Sequence, residues 1–152
     1  QTIWDAGGVD TITHNGATAA EIDLTEGIAG GSAVGKPLFV FDTNGVQLYQ
    51  QYNLWIAYGT VIENANGGAG GDVLIGNAAA NRLDGRGGND TIDGGAGADT
   101  MLASAGSDVL RGGAAADTLS FGNDAAAVVA SRQVGFDVVH RVCFELARDQ
   151  RR

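Results

Sequence analysis

The sequence predicts an all-β protein, a right-handed parallel β-roll (β-solenoid) with short strands, and three observations carry that prediction. From Gly67 the chain divides into six uninterrupted blocks of nine: GGAGGDVLI, GNAAANRLD, GRGGNDTID, GGAGADTML, ASAGSDVLR and GGAAADTLS. The sixth residue of each block is an acid or its amide (Asp72, Asn81, Asp90, Asp99, Asp108, Asp117), and the eighth is always apolar (Leu74, Leu83, Ile92, Met101, Leu110, Leu119). Glycine crowds the first four positions, which excludes helix, because each Gly costs a helix about 1 kcal/mol relative to Ala.

A nine-residue block divides into a six-residue turn, GGxGxD, and a three-residue strand, xUx, whose central side chain points to one face. With two blocks per coil, Leu74, Ile92 and Leu110 line one parallel sheet and face Leu83, Met101 and Leu119 on the other. Turns stacked at strand spacing, about 4.8 Å, leave little room for side chains on tightly curved backbone, and several positions are expected at positive φ. The predicted domain is 1–124, with regular repeats over 67–120.

Stacking raises an electrostatic problem. Identical carboxylates roughly 5 Å apart repel by about 3 kcal/mol at an effective dielectric near 20. A cation between them removes the repulsion, and the oxygen-only donor set of carboxylates and turn carbonyls suits Ca²⁺ better than Mg²⁺, which demands a tighter octahedron. The expected pairs are Asp72 with Asp90, Asp90 with Asp108, and Asp99 with Asp117; Asn81 with Asp99 lacks one charge and should hold an ion more weakly. Asp84 and Asp93 end their blocks and are expected to be solvated.

The rest of the chain gives weaker signals. Two β-rich runs flank Thr43-Asn44-Gly45, a hairpin signal that makes residues 36–54 an expected insertion. Trp4, Trp55, Tyr49, Tyr52 and Tyr58 are read as packing the N-terminal end of the roll. His14, before Asn15-Gly16, reads as an exposed loop histidine. Residues 1–124 carry four basic against fifteen acidic side chains, and residues 125–152 carry five arginines against three acids. That divergent basic tail is expected to be disordered or to cap the solenoid as a short helix, with Asp137 before Val138, Val139, Val142, Cys143 and Leu146 in helical spacing.

Composition also sets exclusions. A net charge of −9 with no basic stripe argues against nucleic acid as a partner. No apolar run reaches the ~18 residues of a membrane span. The single Cys143 forms no internal disulfide, and His140 with Cys143 makes no zinc site from two ligands. The aspartate ladder offers no unusual environment for a catalytic acid and base, so no catalytic residue is assigned. Gln1 in place of an initiator Met points to a fragment or processed form.

The blocks match the GGxGxDxUx calcium-binding nonapeptide of RTX proteins. With TIWDAGGVDTIT (2–13), EIDLTEG (21–27) and IAYGTVIENANGGAGGDVLIGN (56–77), the chain resembles the C-terminal domain of serralysin-type secreted metalloproteases over about residues 1–122. The resemblance implies several bound Ca²⁺ ions, an extracellular location, export by a type I apparatus, and a catalytic domain elsewhere in the parent chain. It assigns calcium ligands to turn positions two, four and six: Gly68, Gly70, Asp72; Asn77, Ala79, Asn81; Arg86, Gly88, Asp90; Gly95, Gly97, Asp99; Gly106, Asp108; and Gly113, Asp117. It further implies an early calcium turn at Asp5, Gly7, Gly8 and Asp10, joined by Glu63. The zinc motif HExxH is absent, since only His14 and His140 occur and neither precedes Glu. The chain itself is therefore not expected to be an enzyme.

Overall fold

The structure, a computed structural model, describes residues 2–4, 7–26, 38–41, 47–51, 55–121, 125–131 and 138–141. Every regular element among them is a strand: β1 (Thr2–Ile3), β2 (Thr11–Thr13), β3 (Glu21–Asp23), β4 (Leu38–Phe41), β5 (Gln47–Gln51), β6 (Trp55–Ile56), β7 (Asn64–Asn66), β8 (Val73–Ile75), β9 (Arg82–Asp84), β10 (Thr91–Asp93), β11 (Thr100–Ala103), β12 (Gly106–Arg111), β13 (Thr118–Phe121), β14 (Ala125–Ser131) and β15 (Val138–Arg141). Two parallel sheets form the roll, in the orders β14-β12-β10-β8-β3 and β15-β13-β11-β9-β7-β2.

The nine-residue period sets this topology. Each strand pairs with the strand two blocks away, so Ile92 lies opposite Leu74 and Leu110, and Met101 opposite Leu83 and Leu119. All six side chains are buried at 2% exposure or less. The core is thus a double file, one apolar side chain per block.

Two further strands lengthen that file toward the N-terminus. Ile22 of β3 sits opposite Leu74, and Ile12 of β2 opposite Ala65, which in turn faces Leu83. Between β3 and β7 the parallel order is interrupted by an antiparallel pair. There β4 and β5 pair antiparallel, with Val40 opposite Tyr49, while the expected turn at Thr43–Gly45 lies outside the described residues. The short pair β1–β6 is parallel, placing Ile3 beside Ile56.

Two expectations need correction. Trp4, Trp55 and Tyr58 do not pack the end of the roll; they are 78%, 41% and 84% exposed, and the core there is aliphatic, built from Ile12, Leu24, Ile56 and Ile62 with Ile3 against it. Tyr49 is placed by its backbone pairing with Val40, and Tyr52 lies outside the described residues. The helix expected from residue 137 is also overturned where the structure describes it. Val138–Arg141 is a strand laid parallel on β13, and Ala125–Ser131 likewise extends β12. Paired valines favour strand, and the open edge of β13 offers them a row of backbone donors and acceptors. Cys143 and Leu146 lie outside the described residues.

Candidate metal centre

The turns between strands stack in two rows on opposite edges of the roll. Row one contains turns 67–72, 85–90 and 103–108. Row two contains turns 76–81, 94–99 and 112–117. Asp90 and Asp99, nine residues apart, therefore belong to different rows.

Within each row the sixth residues form a ladder. Asp72 N donates to Asp90 Oδ1 at 2.8 Å and Asp90 N to Asp108 Oδ1 at 2.9 Å. In row two, Asn81 N donates to Asp99 Oδ1 at 2.8 Å and Asp99 N to Asp117 Oδ1 at 2.9 Å. Each coil thus brings together the residues that the eighteen-residue spacing pairs.

One oxygen of each carboxylate is used this way, and the other points into the turn. Asp72 Oδ2 accepts from Gly68 N at 2.6 Å. The Oδ2 atoms of Asp90, Asp99 and Asp108 are buried with no hydrogen-bond partner, and these residues are 1% exposed. An unsatisfied buried carboxylate oxygen is costly, because desolvation penalises the charged form. Burial accordingly pushes Asp90 up to about 7, helped by the carboxylates of Asp108, Asp72 and Asp84 and opposed by the Asp72 N–H. Asp99 rises to about 6 for the same leading reason, helped by Asp117 and Asp93 and opposed by the Asn81 N–H. The arrangement fits a cation with oxygen ligands, since a bound positive charge satisfies the orphaned oxygens and offsets the mutual repulsion.

The glycines make room for this inward fold of the carboxylate. A Cβ on Gly67, Gly85, Gly94 or Gly112 would lie 2.3–2.5 Å from Oδ2 of the Asp in its own turn. At position four the obstacle is backbone: a Cβ on Gly88 would lie 2.2 Å from Gly70 O. Block five departs by placing Ala103 first; strand β11 runs on to include it, and it is buried in the core.

Block six departs at position four, where Ala115 sits at φ 80 while Gly88 and Gly97 sit at 110 and 106 in the equivalent place. A left-handed Ala carries about 1–2 kcal/mol of steric cost. Ala115→Gly is therefore expected to stabilise the roll by about 1 kcal/mol, raising the Tm by about 4 °C in calorimetry. An unchanged or lower Tm would show that the alanine is accommodated without strain.

Turn 76–81 is different in kind. Asn81 Oδ1 accepts from Asn77 N, and its Nδ2 donates to Glu63 O at 2.9 Å and Asn77 Oδ1 at 3.2 Å. Asn77 Nδ2 in turn donates to Ile62 O at 2.8 Å. Two side-chain amides thus bring donors into this turn, whereas the Oδ2 atoms of Asp90, Asp99 and Asp108 meet none in theirs. Below this turn Asp10 meets Glu63, with Asp10 N donating to Glu63 Oε2 at 2.9 Å. Gly7 and Gly8 lie beside them at φ 111 and 148; Asp5 lies outside the described residues. Among the described residues no three His, Cys, Asp or Glu side chains gather closely enough to hold a metal ion by themselves, so a cation in these turns would need backbone carbonyls among its ligands.

Three roles were missed by sequence reasoning. Asp84 and Asp93 are not simply solvated: each accepts the second N–H of the following turn, from Arg86 at 3.1 Å and Gly95 at 3.2 Å, and each pairs with an arginine, Arg82 at 3.4 Å and Arg111 at 3.3 Å. His14 is not an exposed loop residue but is 9% exposed, with Nε2 3.0 Å from Thr18 O. Arg86, expected to offer its turn only a carbonyl, also reaches Asn15 with its guanidinium. The Asx-type spacing Asp84-x-Arg86 was a readable signal for the first role; the other two had none.

Parallel coils with acid-bearing glycine turns in two rows define an RTX-type β-roll. Residues 66–101 and 94–125 match the RTX calcium-binding nonapeptide repeat. The chain is 38% identical over 84 residues to Serralysin G of Dickeya chrysanthemi, 45% identical over 83 residues to Serralysin of Photorhabdus laumondii, and 42% identical over 81 residues to Metallopeptidase AprA of Pseudomonas marginalis. These stretches cover 55%, 54% and 53% of this chain, which spans only about 14% of the length of each of these curated relatives. The chain thus carries RTX calcium-binding repeats in a β-roll resembling the serralysin C-terminal domain.

Proposed function

We propose that the chain is the calcium-binding module of a secreted bacterial protein, unfolded or loose without Ca²⁺, folding when the ion enters outside the cell, and so supporting type I export. The observation that carries the reading is the set of stacked, buried, partnerless oxygens on Asp90, Asp99 and Asp108. Carboxylates of successive coils, with the carbonyls of turn positions two and four, form the ligand sets: Gly68, Gly70 and Asp72 with the turn of Asp90, and Gly95, Gly97 and Asp99 with that of Asp117. Asp10 and Glu63 serve the early turn. Calcium supplies the positive charge that these carboxylates lack. Extracellular calcium modules bind at about 10⁻⁴–10⁻³ M, above cytosolic free calcium, which keeps the chain unfolded before export.

A second reading makes the module the C-terminal part of a secreted zinc metalloendopeptidase. The serralysin and metallopeptidase relatives, matched over a small share of their length, favour it. Catalysis would then belong wholly to another domain, because this chain has no HExxH.

Equilibrium dialysis against ⁴⁵Ca²⁺ tests the calcium reading. Several saturable equivalents per chain are expected at 1–10 mM, the upper part of the extracellular range and above, with Mg²⁺ failing to compete. Asp90→Asn should lose binding in row one while row two is kept. Absence of saturable binding would overturn the reading.

A further inference from the structure

Row one ends on a turn that keeps the backbone of the others and exchanges their chemistry. Strand β3 is the edge of its sheet, and its pairing with β8 sets residues 14–20 under turn 67–72. Ala20 N donates to Asp72 Oδ1 at 2.6 Å, as Asp72 N does to Asp90 Oδ1. Ala20 therefore holds the sixth position without a carboxylate. His14 holds the first: its N donates to Asn66 O at 2.9 Å, as Gly67 N does to Asp84 O at 2.8 Å. Gly16 O accepts from Ala69 N at 2.9 Å, as Gly68 O accepts from Gly87 N at 3.2 Å, so Gly16 is the second position and Asn15 an extra residue between.

Where the other turns pair a first glycine with a sixth aspartate, this one pairs histidine with alanine. The imidazole turns inward. Its atoms lie 2.6 Å from where a Cβ on Gly16 would be and 2.8 Å from one on Gly68, and its Nε2 lies 3.0 Å from Thr18 O. A carbonyl oxygen only accepts, so Nε2 carries the hydrogen. Thr18 is the fourth position, since a Cβ on Gly70 above would touch it.

A second group arrives from outside. Arg86, two coils above, places a guanidinium nitrogen 3.0 Å from Asn15 Oδ1 and 3.4 Å from His14 O. It does so from φ 63, at a position where Gly68, Gly95 and Gly113 stand in other turns. The backbone cost accepted there is explained by what the side chain reaches.

We infer that turn 14–20 is an ion-free end cap of row one, in which the His14 N–H supplies to the position-four carbonyl, and the Arg86 guanidinium supplies to the turn as a whole, what calcium supplies in the turns above. This rests on the calcium reading of those turns. The physical need is clear: the edge turn has a neighbour on one side only, and with Ala20 in the sixth position it brings no carboxylate to a ligand set shared with turn 67–72, while a ring N–H and a guanidinium need no second half.

The double variant H14G/A20D restores the glycine–aspartate pair. The cap predicts about one more bound Ca²⁺ per chain than in the wild type, counted by equilibrium dialysis. An equal count in a folded variant overturns it. A wild type that binds no calcium would instead refute the reading beneath it, so the two failures are distinguishable. Should the double variant not fold, R86G decides. The cap predicts that R86G raises the calcium midpoint about threefold and that adding N15A changes nothing further. A mere spacer at φ 63 predicts the opposite sign, a lower midpoint as strain is relieved, and that result overturns the cap.

Discussion

Withdrawing calcium is expected to abolish the roll between Thr11 and Phe121. In chelator the far-UV circular dichroism should lose its β signal, and calcium at about 10⁻⁴–10⁻³ M should restore it, with Mg²⁺ ineffective at the same concentration. Asp72, Asp90, Asp99, Asp108 and Asp117 are each 1% exposed and stacked on one another, so the ion-free fold carries three adjacent carboxylate pairs. Each pair opposes folding by about 3 kcal/mol at an effective dielectric near 20. Against this stands a core only two side chains wide, Ile22, Leu74, Ile92 and Leu110 facing Ile12, Ala65, Leu83, Met101 and Leu119. Marginal domains have total stabilities of about 5–15 kcal/mol, so repulsion of this size decides the outcome. Because ligation exists only in the folded chain, binding free energy becomes folding free energy. A folded spectrum that is the same in chelator and in calcium would sink the coupling.

What could be read from the sequence follows from where its period holds. Over 67–120 the period of nine is unbroken, and strands β8 to β13, their pairing and their buried eighth residues follow from it. The first coil kept the pattern but lost the period. Ile12 and Ile22 are ten residues apart, the extra one being Asn15, and their partners Ala65 and Leu74 lie beyond the β4–β5 pair. The burial of His14 was hidden because its warrant is an absence elsewhere: Ala20 lacks the carboxylate whose volume the ring fills. The tail misled for another reason. Val138 and Val139 fit a helical face and a strand equally well in so short a run, and only the waiting edge of β13 settles the choice.

Acid should substitute for calcium, at least in part. Asp90, raised from 3.8 to about 7, and Asp99, raised from 3.8 to about 6, hold protons in the ion-free fold that the unfolded chain has already released. A folded state that binds more protons loses stability as pH rises. The contribution of these two groups is therefore fully present below the unfolded value near 3.8 and disappears as pH climbs through 6 to 7. In chelator, lowering pH from about 8 to about 5 is expected to recover part of the β signal, as protonation removes charge from the ladder. Calcium acts on the same oxygens in the opposite protonation state. Its midpoint should consequently rise on acidification, and near pH 6 the part of the chain that acid has folded without the ion should release about one to two protons per molecule on binding, measurable with an electrode in weakly buffered solution. A chelated protein whose spectrum is flat over that range would mean that the buried oxygens of Asp90 and Asp99 do not oppose the ion-free fold. In that case the glycine-rich backbone alone, through the entropy lost in ordering it, would have to account for any calcium requirement.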